Sequence, residues 1–131
     1  MMLCNPTKEI NIAEKFSIGG KRRFVFIGGP CAIESEQMSY EVAEELKKIC
    51  SDLDIDFVFK SSFDKANRST INGNRGPGIE ERLRIIKKVK DTYNVPVVTD
   101  IHESWQCKKA AEVVDILQIP AFLCRQTDLL I

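Results

Sequence analysis

The residues of this chain best suited to chemistry lie in a few short stretches, and the longest is Lys60 to Gly78, KSSFDKANRSTINGNRGPG. Lys60, Lys65, Arg68 and Arg75 share it with one carboxylate, Asp64, so positive charge is concentrated there. Asn67, Ser69, Thr70, Asn72 and Asn74 add hydrogen-bonding groups, and Gly76-Pro77-Gly78 is turn chemistry that lets backbone come close to a ligand. Such a loop suits a phosphorylated or carboxylated small molecule. The plainer alternative is a solvated surface loop, although structureless loops of this length are uncommon unless functional or disordered. Lys60 directly follows the apolar run Phe57-Val58-Phe59, where an ammonium loses water unless an anion pairs with it. Anion anchoring is therefore favoured over a chance rim lysine.

Three further groups are open to more than one reading. Cys31 could offer a thiolate to a soft or borderline metal, or be an inert buried thiol, and no ligand set surrounds it in sequence. His102 is the only histidine and follows Asp100 by two positions. A metal ligand, a proton carrier and a hydrogen-bonded rim residue are all open for it; the spacing favours the rim residue. Cys50, Cys107 and Trp105 fall in helical patterns and read as packing residues. No GxGxxG or P-loop pattern supports a dinucleotide or nucleotide-phosphate site.

The elements that must hold these groups alternate. Apolar runs at Phe24–Ile27, Phe57–Phe59, Val95–Thr99 and Ile116–Ile119 read as strands, the first suited to burial on both faces and the third tolerating Pro96 near its start. Between them the spacing predicts a helix from Glu36 to Cys50, capped by Ser35, with Met38, Val42, Leu46 and Ile49 on one face. A second helix, Ile79 to Tyr93, is stopped by Asn94, and a shorter one runs from Glu103 to Val113. Weak alternation over Ile10–Ala13 and Phe16–Ile18 predicts an N-terminal hairpin, and Ala121–Ile131 begins another turn-to-helix passage. Strand and helix alternating in this way build a parallel sheet from right-handed βαβ units. Ligands gather at the carboxyl ends of such strands, whether the sheet closes or stays open. Those ends carry Cys31, Lys60, Asp100 with His102, and the Gln118–Asp128 segment.

The 131 residues match one domain, and 44% hydrophobic with 29% charged residues suits a globular core. Nineteen basic residues balance nineteen acidic ones, which argues against nucleic-acid or anionic-membrane binding by bulk charge. Five widely spaced cysteines without a C-x-x-C pair read as free thiols in a reducing compartment. No apolar run approaches membrane-spanning length and no leader pattern opens the chain, so a soluble cytoplasmic protein is expected.

The run KSSFDKANRS at 60–69, with Arg75-Gly-Pro-Gly78, Thr99-Asp-Ile-His-Glu103 and Pro120-Ala-Phe-Leu-Cys-Arg-Gln-Thr-Asp128, resembles the 3-deoxy-D-manno-octulosonate 8-phosphate synthase family over about residues 9–131. Its Lys-Ala-Asn-Arg element separates that family from the related synthase that uses erythrose 4-phosphate. The resemblance implies a (β/α)₈ TIM barrel, a cytoplasmic homotetramer, and condensation of phosphoenolpyruvate with arabinose 5-phosphate for lipopolysaccharide synthesis. It assigns Lys60 and Lys65 to phosphoenolpyruvate, Asn67 to the pentose, and Arg68 with Ser69 to the sugar phosphate. Arg125 and Gln126 match a pair that a neighbouring subunit lends to that phosphate. Lys60, Lys65 and Asp100 are the catalytic candidates by resemblance, and Ser62 and Cys124 join the substrate-binding set. Cys31 matches the cysteine ligand of the metal-dependent branch, implying a divalent metal.

A TIM barrel takes about 250 residues, so the chain is expected to be a single unit, residues 1–131, forming the N-terminal half of a synthase domain with about four βα units. The remaining metal ligands and the groups for the phosphoenolpyruvate phosphate would then come from a complementing half or oligomer. The alternative is a non-catalytic half-barrel acting as a binding or assembly module, whose open sheet edges call for a partner.

Overall fold

The structure is a computed structural model that describes residues 7–64 and 78–131. Strands β1 (Ile10–Ile12) and β2 (Phe16–Ile18) form the expected antiparallel hairpin. Four parallel strands follow, β3 (Val25–Gly28), β4 (Asp56–Lys60), β5 (Val97–Asp100) and β6 (Ile116–Gln118). The helices between them are α1 (Glu36–Asp52), α2 (Ile79–Tyr93) and α3 (Ser104–Ala111). A 3₁₀ turn at Ala121–Leu123 and the short helix α4 (Thr127–Leu130) complete the described chain.

The strands lie in the sheet in chain order. Crossovers between parallel strands are almost always right-handed, so three successive steps in one direction put α1, α2 and α3 on the same face. A doubly wound sheet would instead reverse its strand order and carry helices on both faces. Contact between α1 and α2 agrees with the one-sided arrangement. This is part of a barrel-type (β/α) unit.

Local signals set the helix ends. The Ser35 hydroxyl accepts from the Met38 N–H at 3.1 Å, satisfying an orphan donor of α1. At the other end the Ile55 N–H reaches the Cys50 carbonyl at 2.8 Å and Asp54 turns the chain with φ +53°, a Schellman closure. Helix α2 stops at Asn94 in the left-handed region, φ 51° and ψ 46°, which asparagine tolerates better than most residues.

The main core lies between sheet and helices. Phe57, Phe59 and Val97 from the strands meet Ala43 and Cys50 of α1, Leu83, Ile86 and Val89 of α2, and Ala110 of α3. Burial pushes the Cys50 thiol up, in keeping with an inert packing residue. The four described cysteines, Cys31, Cys50, Cys107 and Cys124, are free thiols.

Three expectations are corrected. The first strand is not buried on both faces: Phe24 is 66% exposed and Ile27 47%. It is an edge strand, hydrogen-bonded only to β4, and an apolar run reads the same at an edge as in the middle. Trp105 does not pack inward, because α3 buries Gln106 and Ala110 and turns the indole outward. In α1 the deeply buried positions are Ser39, Ala43 and Cys50, with Val42 and Leu46 beside them, so Ile49 is left exposed. The small residues let α1 settle closely, which a tally of large apolar positions misses.

Candidate functional site

Register places the chemistry-bearing side chains. Phe57, Phe59 and Val97 face the helices, so the alternating residues Val58, Lys60, Val98 and Asp100 face the opposite side. Lys60 pairs with Val98, and Asp100 lies one side-chain layer further along β5. An ammonium and a carboxylate thus share the helix-free face at the carboxyl ends of neighbouring strands. Gln118 pairs with Asp100 in register and extends the polar rim onto β6.

The backbone around Lys60 is held tightly. The Ser61 hydroxyl donates to the Pro30 carbonyl at 3.0 Å, and the Thr99 hydroxyl donates to the Ser61 carbonyl at 2.8 Å. The Ser61 N–H donates to Val98 at 3.3 Å, and the Ile33 N–H to Ser62 at 3.2 Å. Gly29 crosses so close to Lys60 that a Cβ there would stand 2.0 Å from the Lys60 carbonyl oxygen. Arg82 of α2, itself buried, donates to the Phe63 carbonyl. Three strand ends are thereby tied together beneath a half-buried Lys60. Among the described residues no carboxylate pairs with its ammonium.

Asp100 and His102 form a second cluster. His102 Nε2 lies 3.1 Å from Asp100 Oδ2, and both side chains are less than a tenth exposed. The imidazole also meets the Phe63 ring edge-on at 6.2 Å. Asp100 Oδ1 and His102 Nδ1 are buried with no hydrogen-bond partner among the described residues. The rim reading of His102 holds in that it is hydrogen-bonded at a strand end, but it is deeper than a rim residue. The β5-to-α3 turn is fastened by Gln106, whose Oε1 accepts from the His102 N–H at 2.8 Å and the Glu103 N–H at 3.1 Å.

Cys31 stands at the carboxyl end of β3 and is exposed, which sets aside the buried-thiol alternative. Among the described residues no three His, Cys, Asp or Glu side chains gather as a metal site, so those residues alone do not fit a bound metal. Ser62 is fully buried. Cys124, Arg125 and Gln126 follow β6 as exposed residues between the 3₁₀ turn and α4, on the outside of the unit. Lys65, Asn67, Arg68 and Ser69 lie outside the described residues.

Sequence reading passed over Ser61, Thr99, Arg82 and Gln106. Gln106 had a usable signal, because a Gln at the third helical position commonly reaches back to the cap. Arg82 had none, since its periodicity is that of any helical arginine.

The chain matches the model of the DAHP synthetase I family over residues 7–131. It is 56% identical over 130 residues to "2-dehydro-3-deoxyphosphooctonate aldolase" of Fusobacterium nucleatum, an alignment covering 99% of this chain and 46% of that protein. Proteins of the same name from a Synechococcus species and Geobacter sulfurreducens are 58% and 53% identical over 120 and 125 residues. Those alignments cover 92% and 95% of this chain, but 42% and 46% of the relatives. The chain spans less than half the length of the curated relatives it matches.

Proposed function

Because the chain belongs to the DAHP synthetase I family, we propose that it carries the first strand ends of a synthase site that condenses phosphoenolpyruvate with arabinose 5-phosphate to 3-deoxy-D-manno-octulosonate 8-phosphate. The observation that carries this reading is the 56% identity, over an alignment that covers 99% of this chain, to a relative named for that phosphorylated acid. The helix-free face supports it, since a cation and a carboxylate stand there on adjacent strands.

In this reading the Lys60 ammonium, with Lys65, neutralises the phosphoenolpyruvate carboxylate, while Asn67, Arg68 and Ser69 hold the pentose phosphate. Ser62 lines the floor, and Cys124, Arg125 and Gln126 serve a neighbouring subunit's site. Asp100 offers Oδ1, which has no partner among the described residues, to a hydroxyl or water at the reacting end. The methylene carbon of phosphoenolpyruvate forms a bond to the sugar aldehyde carbon, whose oxygen takes up a proton. Water adds to the central carbon, and its C–O bond to phosphate breaks, releasing inorganic phosphate. The protein's share is charge neutralisation and positioning of two anions that otherwise repel. Cys31 is proposed as one thiolate ligand of a divalent metal whose other ligands lie beyond the described residues.

The working protein is proposed to be cytoplasmic and either homo-oligomeric or paired with a complementing half. No helix among the described residues is long and apolar enough to cross a membrane. A second reading, a non-catalytic assembly module, draws on the exposed Phe24, Phe26 and Ile27 beside an open sheet edge.

Phosphate release separates the two. The purified chain with both substrates should turn over little, and adding the remaining portion of the Fusobacterium relative should produce turnover. Robust release by the chain alone overturns the half-site assignment, and silence after complementation favours the assembly module. In the complemented enzyme Lys60→Met should weaken phosphoenolpyruvate by about 1.5–3 kcal/mol, the range for a hydrogen bond to a charged group, and the pentose phosphate less.

A further inference from the structure

Resting on the reading of Asp100 as a group that faces substrate, we infer that Gln106 is a positioning residue that sets the orientation of Asp100 through His102. Gln106 is 6% exposed, and its side-chain oxygen uses both lone pairs on backbone donors, His102 N–H at 2.8 Å and Glu103 N–H at 3.1 Å. An amide nitrogen in that place would oppose two donors, so the group cannot flip. Capping α3 requires only the bond to Glu103, the residue before the helix. The second bond lies outside the helix, on the residue whose ring touches Asp100.

From there the linkage runs through side chains. With the His102 backbone fixed, the imidazole reaches Asp100 Oδ2 at 3.1 Å and rests edge-on against Phe63. A carboxylate oxygen accepts, so Nε2 carries the proton. In the neutral ring Nδ1 is then a bare lone pair, which suits a buried atom with no partner among the described residues better than an unpaired N–H would. Oδ2 is thereby occupied and Oδ1 is the oxygen left for a ligand on the helix-free face. Loosening Gln106 would let His102 turn, free Oδ2, and leave the Asp100 carboxylate without a defined orientation.

The chain has one histidine, so its imidazole nitrogens give unique signals in long-range proton–nitrogen correlation spectra of the ¹⁵N-labelled protein. The wild type should show a single Nε2–H tautomer with a slowly exchanging ring proton. Gln106→Asn, one methylene too short for both donors, should average the tautomers and lose that protection. Gln106→Glu, which keeps an oxygen at the same reach, should restore the wild-type pattern. A purely structural cap would lower the melting temperature in Gln106→Asn and leave the imidazole spectrum unchanged, and that result overturns the proposal. A wild-type ring that samples both tautomers overturns it as well, whatever the variants do. Adding arabinose 5-phosphate or phosphoenolpyruvate tests the underlying reading separately. With the labelled chain complemented by the unlabelled remaining portion of the Fusobacterium relative, if neither shifts the wild-type imidazole, the role of Asp100 at the substrate site fails, while the tautomer result still decides the role of Gln106.

Discussion

Gly29→Ala is the sharpest test of how the strand ends are assembled. The added methyl would stand 2.0 Å from the Lys60 carbonyl oxygen and 3.0 Å from its carbon, where ordinary contact begins at 3.4 Å. The Lys60 backbone must therefore retreat by roughly 1 Å, an overpacking that typically costs ~1–3 kcal/mol. Gly29 also has φ +156°, and holding an alanine there adds a further ~1–3 kcal/mol. Together the loss should be about 2–6 kcal/mol, against a total of roughly 7–20 kcal/mol for a chain of this length. The variant should fold, with a lowered urea midpoint. A displacement of that size beside a reacting centre can cost ~10²-fold in rate, so phosphate release by the complemented enzyme should fall far more than folding does. Gly78→Ala is the control: no described residue lies within 4 Å of its added carbon, and it caps α2 without a side chain. It should cost less than about 1 kcal/mol. A Gly29→Ala protein within about 0.5 kcal/mol of wild type, the range of unremarkable surface changes, and with undiminished turnover would refute the close approach.

Two other perturbations probe the frame that carries the site. Asp115 accepts from the Val97 N–H at 2.9 Å and from Lys90 Nζ at 2.8 Å, with its side chain 12% exposed. Asp115→Ala should cost about 2–3 kcal/mol in urea unfolding, mostly from the charge-assisted bond to Val97, and Asp115→Asn clearly less because it keeps an acceptor. Equal losses would assign the energy to Lys90 instead. Lys88 and Arg84 hold the Glu36 carboxyl below its ordinary value of 4.5 by hydrogen bonds across the α1–α2 interface. A depressed folded value means that its contribution is present above pH 4.5 and is lost as pH falls through the folded value. Glu36→Gln should flatten the acid side of the stability profile at low salt and do little at high salt, where these exposed charges are screened. An unchanged acid limb would rule that network out as a source of pH dependence.

Local rules made much of the frame legible. Helix α2 occupies the Ile79–Tyr93 span that its apolar spacing predicts, Ser35 and Asn94 end helices as their chemistry suggests, and all four parallel strands fall on apolar runs. The strand-end residues Lys60 and Asp100 were findable because a buried strand that ends on a polar group announces itself, and Cys31 because it follows an apolar run. Arg82 was not chosen, because its partner is a backbone carbonyl brought near only by folding, whereas the local capping position of Gln106 was legible but not used.

By itself the sequence determined element type, order and many of the ends, since hydrophobic period and capping chemistry act over a few residues. It also determined which kinds of groups arrive at the strand ends. Tertiary structure alone decided which apolar faces are covered, because burial depends on what lies across the gap: Phe24, Ile27 and Trp105 remain exposed while Ser39 and Ser61 are buried. It alone decided that Lys60 and Asp100 share one face, through strand register. And only the fold joins Asp100, His102 and Gln106, because a 3 Å hydrogen bond is set by backbone turns and side-chain torsions that spacing along the chain does not specify.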